Sequence, residues 1–316
     1  MKQILLLTTL LLTTISAFPQ LRARTLPYGD MDSWTVRKIK ESPVIGGGEK
    51  TLYEIGPDTL INGRIPYTNL GNSPWATSNV MAKVMGVYKT NTSVFREHRE
   101  HGWSARLETR IEKVKVLGLF NIKVLAAGAI YLGHMDEPVT GMKNAEKNVT
   151  SGIPFTARPK ALIYDYKFQA AGSPDRIKLT GIGGRSTIKG CDKGIVTLYL
   201  QKRREHPDGS ITAERVATLV VLYDRSTGEW IESERHPLRY GDISGEKDFN
   251  RDYEDLRVTG YAANKKGEKV EIRETEWAAP DETPTHIVLQ FASSHGGAYI
   301  GSPGNTLWVD NVRLEY

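Results

Sequence analysis

The chain has 316 residues, 39% hydrophobic and 25% charged, an ordinary globular composition with room for one large domain or two small ones. Its formal net charge is +5, from 42 basic and 37 acidic residues that interleave along the chain, so no clustered basic face argues for a nucleic-acid partner. The one cysteine, Cys191, excludes an intrachain disulfide and argues against a cysteine-based zinc site.

The N-terminus has its own pattern. Met1-Lys2-Gln3 is a short positive start, and residues 4–15 are an apolar and threonine stretch of signal-peptide length. Ser16 and Ala17 supply small residues for cleavage. Residues 1–17 therefore read as a secretory signal peptide cut near Ala17, which predicts a periplasmic or extracellular protein. With no cysteine beside the cut, the protein is expected not to be a lipoprotein. No later segment approaches ~18 uninterrupted apolar residues, so no membrane span is expected. Residues 18–59 read as an N-terminal extension, a linker or one hairpin around the glycine turn "VIGGGEK". The main domain is placed at residues 60–316.

From there the signals are β. "NSPWATSN" puts Trp75 after Pro74 in a turn-rich stretch, where it is either a loop platform or a core plug. "SVFREHREHGW", residues 93–103, suggests a turn or two of helix. In "WSARLET" strand parity sets Arg106 and Glu108 on one face, about 7 Å apart, as an ion pair or a polar platform. "PFTARP" holds two prolines that cannot join a ladder, so Arg158 projects from a stiff, extended entry. Its guanidinium suits a carboxylate or sugar hydroxyls, and the expected partner is an acidic side chain. The strand behind it, "ALIYDYKF", sets Tyr164, Tyr166 and Phe168 on one face, as core.

Further on, "ATLVVLYDR", "KVEIRETEW" and "HIVLQFASS" read as strands separated by the turns "PDG", "NKKG" and "SPGN". Short strands between Gly, Pro, Asn and Asp clusters predict an all-β sandwich or jelly roll. The glycine-rich loop over residues 293–305 carries Ser294, His295 and Tyr299. In the last strand, "NTLWVDNVRLEY", Asp310 shares parity with Trp308, Val312 and Leu314. Either a bulge shifts the register at Asp310-Asn311, or a carboxylate lies in the core line and needs a calcium ion or an arginine. The seven histidines are scattered, and no hydrolase elbow, phosphate loop or dinucleotide fingerprint is present.

"PWATSN", "SARLET", "AAGAIYLG", "GIPFTARPKALIYDYKF" and the stretch from Pro284 to Tyr316 occur in one order. Together they resemble the putative carbohydrate metabolism domain (PCMD) family of exported bacterial proteins, over about residues 60–316. The arginine–proline block with its tyrosine strand is the most specific motif. The resemblance implies a jelly roll akin to galactose-binding-like carbohydrate-binding modules and a poly- or oligosaccharide partner; it supplies no reaction and no oligomeric state.

The candidate ligand-binding residues are Trp75, Asn79, Arg106, Glu108, Arg158, Ser294 and Tyr299, with Asp310 as ligand of a possible structural calcium. Three functions stay open. The first is a glycan-binding module. The second is a glycoside hydrolase with Glu108 and Asp165 as its carboxylate pair. The third is a structural component of the cell surface. A cleft with two carboxylates and no arginine between them would favour catalysis, and a site lined by salt bridges with no exposed aromatic would favour the structural role.

Overall fold

The computed structural model describes residues 22–116, 120–141, 145–181 and 184–316. The signal-peptide reading falls on residues 1–17 and lies outside the described residues. The described chain is nearly all β, arranged as a sandwich, as the alternating patterns predict.

Two sheets meet across one core. In the first, the strands follow the order Ile231–Pro237, Ala161–Gln169, Thr306–Glu315, Trp103–Glu108 and Val94–His98, all antiparallel. The short strand Ala23–Thr25 joins the end of Thr306–Glu315. The second sheet is built on the long hairpin of Gly194–Glu205 and Ile211–Tyr223, flanked by His286–Ala292 and Lys269–Trp277. Ala129–Met135 pairs with His286–Ala292 and leads back to Lys269–Trp277 through Val149–Ser151 and Val258–Ala263. The second sheet thus closes into a ring, which hides edges that would otherwise be open.

The tyrosine strand fills the space between the sheets. Tyr164 and Phe168 are fully buried and Tyr166 nearly so. Tyr164 meets Phe291 of the second sheet edge-on at 5.0 Å between centroids, and Tyr166 stacks on Tyr223 at 4.4 Å. The hydroxyls of Tyr164 and Tyr223 pair with each other at 2.5 Å, so neither is buried without a partner.

Residues 93–103, expected to make a helical turn, form the strand Val94–His98 and the hairpin into Trp103–Glu108. Buried Val94 lies opposite buried Leu107, and that cross-strand pairing outweighs the local helix preference of Arg and Glu.

The segment read as a linker or hairpin builds a small sheet of its own from Trp34–Lys40, Glu49–Ile55 and Thr59–Asn62. Trp34 and Ile55 reach into the main core. A buried charged junction completes the attachment. Arg37 meets Glu54 at 2.9 Å and Glu137 at 2.5 Å, and the Thr77 hydroxyl donates to Glu54 at 2.7 Å. Burial, with Glu137 nearby, pushes Glu54 up to about 7, against the pull of Arg37 and Thr77. Burial also works against the charge of Arg37, but Glu137 and Glu54 hold its pKa above the ordinary value. One guanidinium facing two carboxylates stays charged, and Glu54 is the acid that takes up a proton.

The folded pKa of Glu54 thus lies above its ordinary 4.5. The stability this proton gives is present at low pH and lost as the pH rises through about 7. Urea melts of the wild type should weaken between about pH 5 and about pH 8, and Glu54→Gln should flatten that slope. Equal slopes in the two proteins would contradict the assignment. Arg37→Ala should cost about 3–5 kcal/mol, because it strands two buried acids.

Candidate functional site

The outward face of the first sheet carries a row of residues across four strands. Lys167 lies opposite Trp308, Trp308 opposite Arg106, and Arg106 opposite Phe95. With strands about 4.8 Å apart, the row spans roughly 14 Å. Cation and ring alternate along it. Lys167 Nζ is 5.7 Å from the Trp308 centroid, and the Arg106 guanidinium is 4.6 Å from that of Phe95. All four side chains are half-buried.

Carboxylates hold the row in position. Glu97 accepts the Trp308 indole N–H at 2.9 Å and lies 2.9 Å from Arg106 Nε. Glu108 meets Arg106 Nη1 at 2.6 Å, the ion pair that strand parity predicts. One step along the sheet, Asp165 and Asp310 are cross-strand partners. Arg99 bridges them, with Nη1 2.8 Å from Asp165 and 2.7 Å from Asp310. The same guanidinium reaches Glu232 at 2.9 Å and covers the ring of Trp230 at 4.1 Å.

The two aspartates differ in their protonation. Burial raises the pKa of Asp165, but hydrogen bonds from Arg99, Asn311 and the Ser233 N–H outweigh it and hold the carboxyl below its ordinary value. At Asp310 burial prevails over Arg99 and pushes the carboxyl up to about 6. Burial opposes the charge of Arg99 as well, yet its two acids keep its pKa above the ordinary value.

A bulge creates this arrangement. The register between Thr306–Glu315 and Ala161–Gln169 shifts between Ile163 and Asp165, and Asn311 takes φ +53°. Before the bulge Leu307 and Val309 face the core; after it Val312 and Leu314 do. Of the two options the sequence left open, the bulge is present. Asp310 is buried too, and its partner is Arg99.

Several predicted site residues serve the fold instead. Trp75 starts the strand Trp75–Thr77 and is fully buried, with its indole donating to the Pro27 carbonyl at 2.9 Å. It is the core plug and offers no platform. Asn79 is 1% exposed, and its amide joins the carbonyls of Tyr53 and Val94 to the N–H groups of Ser93 and Val94. Ser294 is buried and donates to Asp192 at 2.8 Å. Tyr299 is half-buried in a loop that pairs with Arg176–Gly181, outside the row.

Arg158 does reach across, but to carbonyls rather than to a carboxylate. It donates to the carbonyl oxygens of Pro280 and Glu282 and lies 4.4 Å from the ring of Tyr240. The proline-stiffened entry makes a loop clamp.

Nor do the proposed catalytic carboxylates meet. Glu108 is opposite Thr306 and Asp165 opposite Asp310, two strands and four positions apart. That separates their backbones by roughly 16 Å, beyond the ~9.5 Å of an inverting pair. Each is also held by its own arginine. Asp310 does not fit a calcium site, because a guanidinium already lies between it and Asp165. Among the described residues no three His, Cys, Asp or Glu side chains converge to hold a metal.

Lys167, Trp308, Phe95, Glu97, Arg99 and Trp230 are residues of this face that the sequence pattern does not single out. Their shared face depends on cross-strand register, and the visible signal was only the alternation around Trp308 and Arg106.

Two clefts lie on the described surface. One of about 640 Å³ on the second sheet is lined by Asp208, Thr212, Tyr261, Glu271 and Arg273 among others. One of about 240 Å³ is lined by Lys50, Tyr53, Lys89, Phe95, Arg110 and Glu112, among others, and shares Phe95 with the row.

The family model described as the putative carbohydrate metabolism domain matches residues 53–315. The chain belongs to the PCMD family. No curated protein matches it. Solved structures similar to it include two described as putative glycoside hydrolases. A putative glycoside hydrolase from Bacteroides thetaiotaomicron shares 18% identity over 84% of this chain and 78% of that one, with a TM-score of 0.46. A putative glycoside hydrolase from Bacteroides vulgatus shares 15% identity over 93% of this chain and 94% of that one, with a TM-score of 0.40. Among the described residues of this PCMD chain, no helix is long and apolar enough to cross a membrane.

The aspartate pair of the PCMD chain should respond to pH in opposite senses. Asp165→Asn removes a charge that Arg99 and Asn311 favour, and should destabilise at neutral pH. Asp310 has a folded pKa of about 6, above its ordinary 3.8. The wild type should therefore gain stability over Asp310→Asn as the pH falls from about 6 to about 4. Denaturant melts across that range measure the gap, and a gap that narrows on acidification would overturn the assignment.

Proposed function

We propose that this chain is an exported glycan-binding protein, and that the outward row on its first sheet is the binding face. The observation that carries the reading is the register-matched sequence Lys167, Trp308, Arg106, Phe95 across four strands. A sugar ring presents an apolar C–H face and a rim of hydroxyls. Half-buried aromatic rings take the face. The fork of Arg106 and the carboxylates of Glu97 and Glu108 take the hydroxyls. A row of roughly 14 Å suits an oligosaccharide or polysaccharide segment lying across the strands.

Membership of a carbohydrate metabolism family supports the ligand class. The arginines beside Glu108 and between Asp165 and Asp310 support binding over hydrolysis, since each carboxylate is committed to a cation. The partly open rings of Trp230 and Trp308 speak against a purely structural role. Export rests on the leader pattern of residues 1–17.

The test is a panel of plant, host and microbial polysaccharides, with retention and released sugar read in the same wells. Retention on at least one glycan without product is expected. Trp308→Ala and Arg106→Ala should each weaken it tenfold or more, about 1.4 kcal/mol, with unchanged melting midpoints. Released sugar that disappears in Glu108→Gln would replace binding by hydrolysis. Undiminished retention in Trp308→Ala would remove the row from the site.

A further inference from the structure

We infer that the cleft of about 240 Å³ beside Phe95 is a subsite for an anionic sugar, a uronate or a sulfated residue, within the bound glycan. The inference rests on the outward row being the glycan face, and it names the class of sugar that face selects.

The cleft has an aromatic floor. Tyr53 and Phe95 lie 6.3 Å apart between centroids, tilted by 53°. Phe95 also ends the row, with Arg106 at 4.6 Å and Arg110 at 5.5 Å from its ring. A chain lying along the row therefore runs into the cleft. At about 240 Å³ the cleft falls below the ~300–1,000 Å³ of pockets for larger ligands, which fits one sugar ring.

The lining is positive. Lys50, Lys89 and Arg110 face one carboxylate, Glu112. Lys89 is met by Glu41 at 2.9 Å and Glu112 at 3.8 Å, and Arg110 by Glu112 at 3.1 Å and Glu108 at 3.6 Å. The Glu41 oxygen on Lys89 also accepts the N–H and hydroxyl of Thr90. Lys50 is exposed and has no acidic partner among the described residues. Arg96, outside the lining, also has none; it lies 5.8 Å from the Tyr53 centroid and 4.6 Å from that of Trp103. The aromatic floor and the unpaired Lys50 together recognise a ring that carries a negative group, since a charge-assisted bond to Lys50 is stronger than one to a neutral hydroxyl. The larger cleft lacks this signature, because Lys147, Lys269 and Arg273 there are balanced by Asp208, Glu268 and Glu271.

The test titrates the whole protein with galacturonate, galactose 6-sulfate and galactose, followed by NMR of the aromatic side chains and by calorimetry. Polygalacturonate, carboxyl-reduced polygalacturonate, dextran sulfate and dextran repeat it with polymers. At least one charged sugar should bind tenfold or more tighter than galactose and shift the Tyr53 and Phe95 ring signals. The arm that shows the preference identifies carboxylate or sulfate. Lys50→Glu should abolish the preference. Lys247→Glu, which makes the same charge change at an exposed site after Arg239–Tyr240, should preserve it. Equal affinity for charged and neutral sugars, or equal loss in both variants, would overturn the subsite while leaving the row intact. Polymer binding that survives Trp308→Ala but fails in Lys50→Glu would overturn the row and keep the cleft. Binding of no sugar would overturn both.

Discussion

One extra residue in the last strand decides which side chains this protein shows to solvent. Thr306–Glu315 is flanked on both sides by other strands, so its backbone is committed and only its register can vary. Up to Val309 the odd positions face the core; from Val312 the even positions do. Strict alternation would set Trp308 on the same side as Leu314 and turn Leu307 and Val309 outward. The bulge keeps all the aliphatic residues inside and leaves an indole and a carboxylate on the other face. Asn311, a residue type that tolerates positive φ, makes the bend and donates its side chain to Asp165.

The other strong constraints are buried charges, each matched. Arg215 and Glu274 are fully buried, hydrogen-bonded through the arginine Nε, and the Arg215 guanidinium lies 3.7 Å from the Tyr199 centroid. Arg37 joins the small N-terminal sheet to the sandwich, and Arg99 ties two strands to the Ile231–Pro237 edge. Such pairs add little net stability over apolar packing. What they restrict is register, because a slip of one residue strands a charge in the core. The balanced, interleaved charges of the sequence therefore divide between a wet surface and a few internal fasteners, and composition alone does not separate the two.

Legibility followed the range of the interaction. The Tyr164, Tyr166 and Phe168 face was readable because its period of two is local, and so was the ion pair of Arg106 with Glu108. The all-β class followed from strand-length runs and turn residues. Trp75 was ambiguous because Pro74 ends a turn and begins a buried strand equally well. In sequence Arg158 is a charge seeking an acid, whereas backbone carbonyls of a distant loop satisfy a guanidinium as fully. Arg99 was invisible as a partner of Asp165 and Asp310, since 66 and 211 residues separate it from them. The outward row exists only once four strands have chosen their register, and that choice is made by the whole core.

The pairing of Ala23 with Glu315 has a mechanical meaning. The described chain enters and leaves the fold side by side, at the same end of an antiparallel pair. Tension applied through both ends would load the ladder bonds one after another, like a zip, instead of shearing them together. The first bonds to give would be those of Ala23–Thr25, a three-residue strand at the periphery.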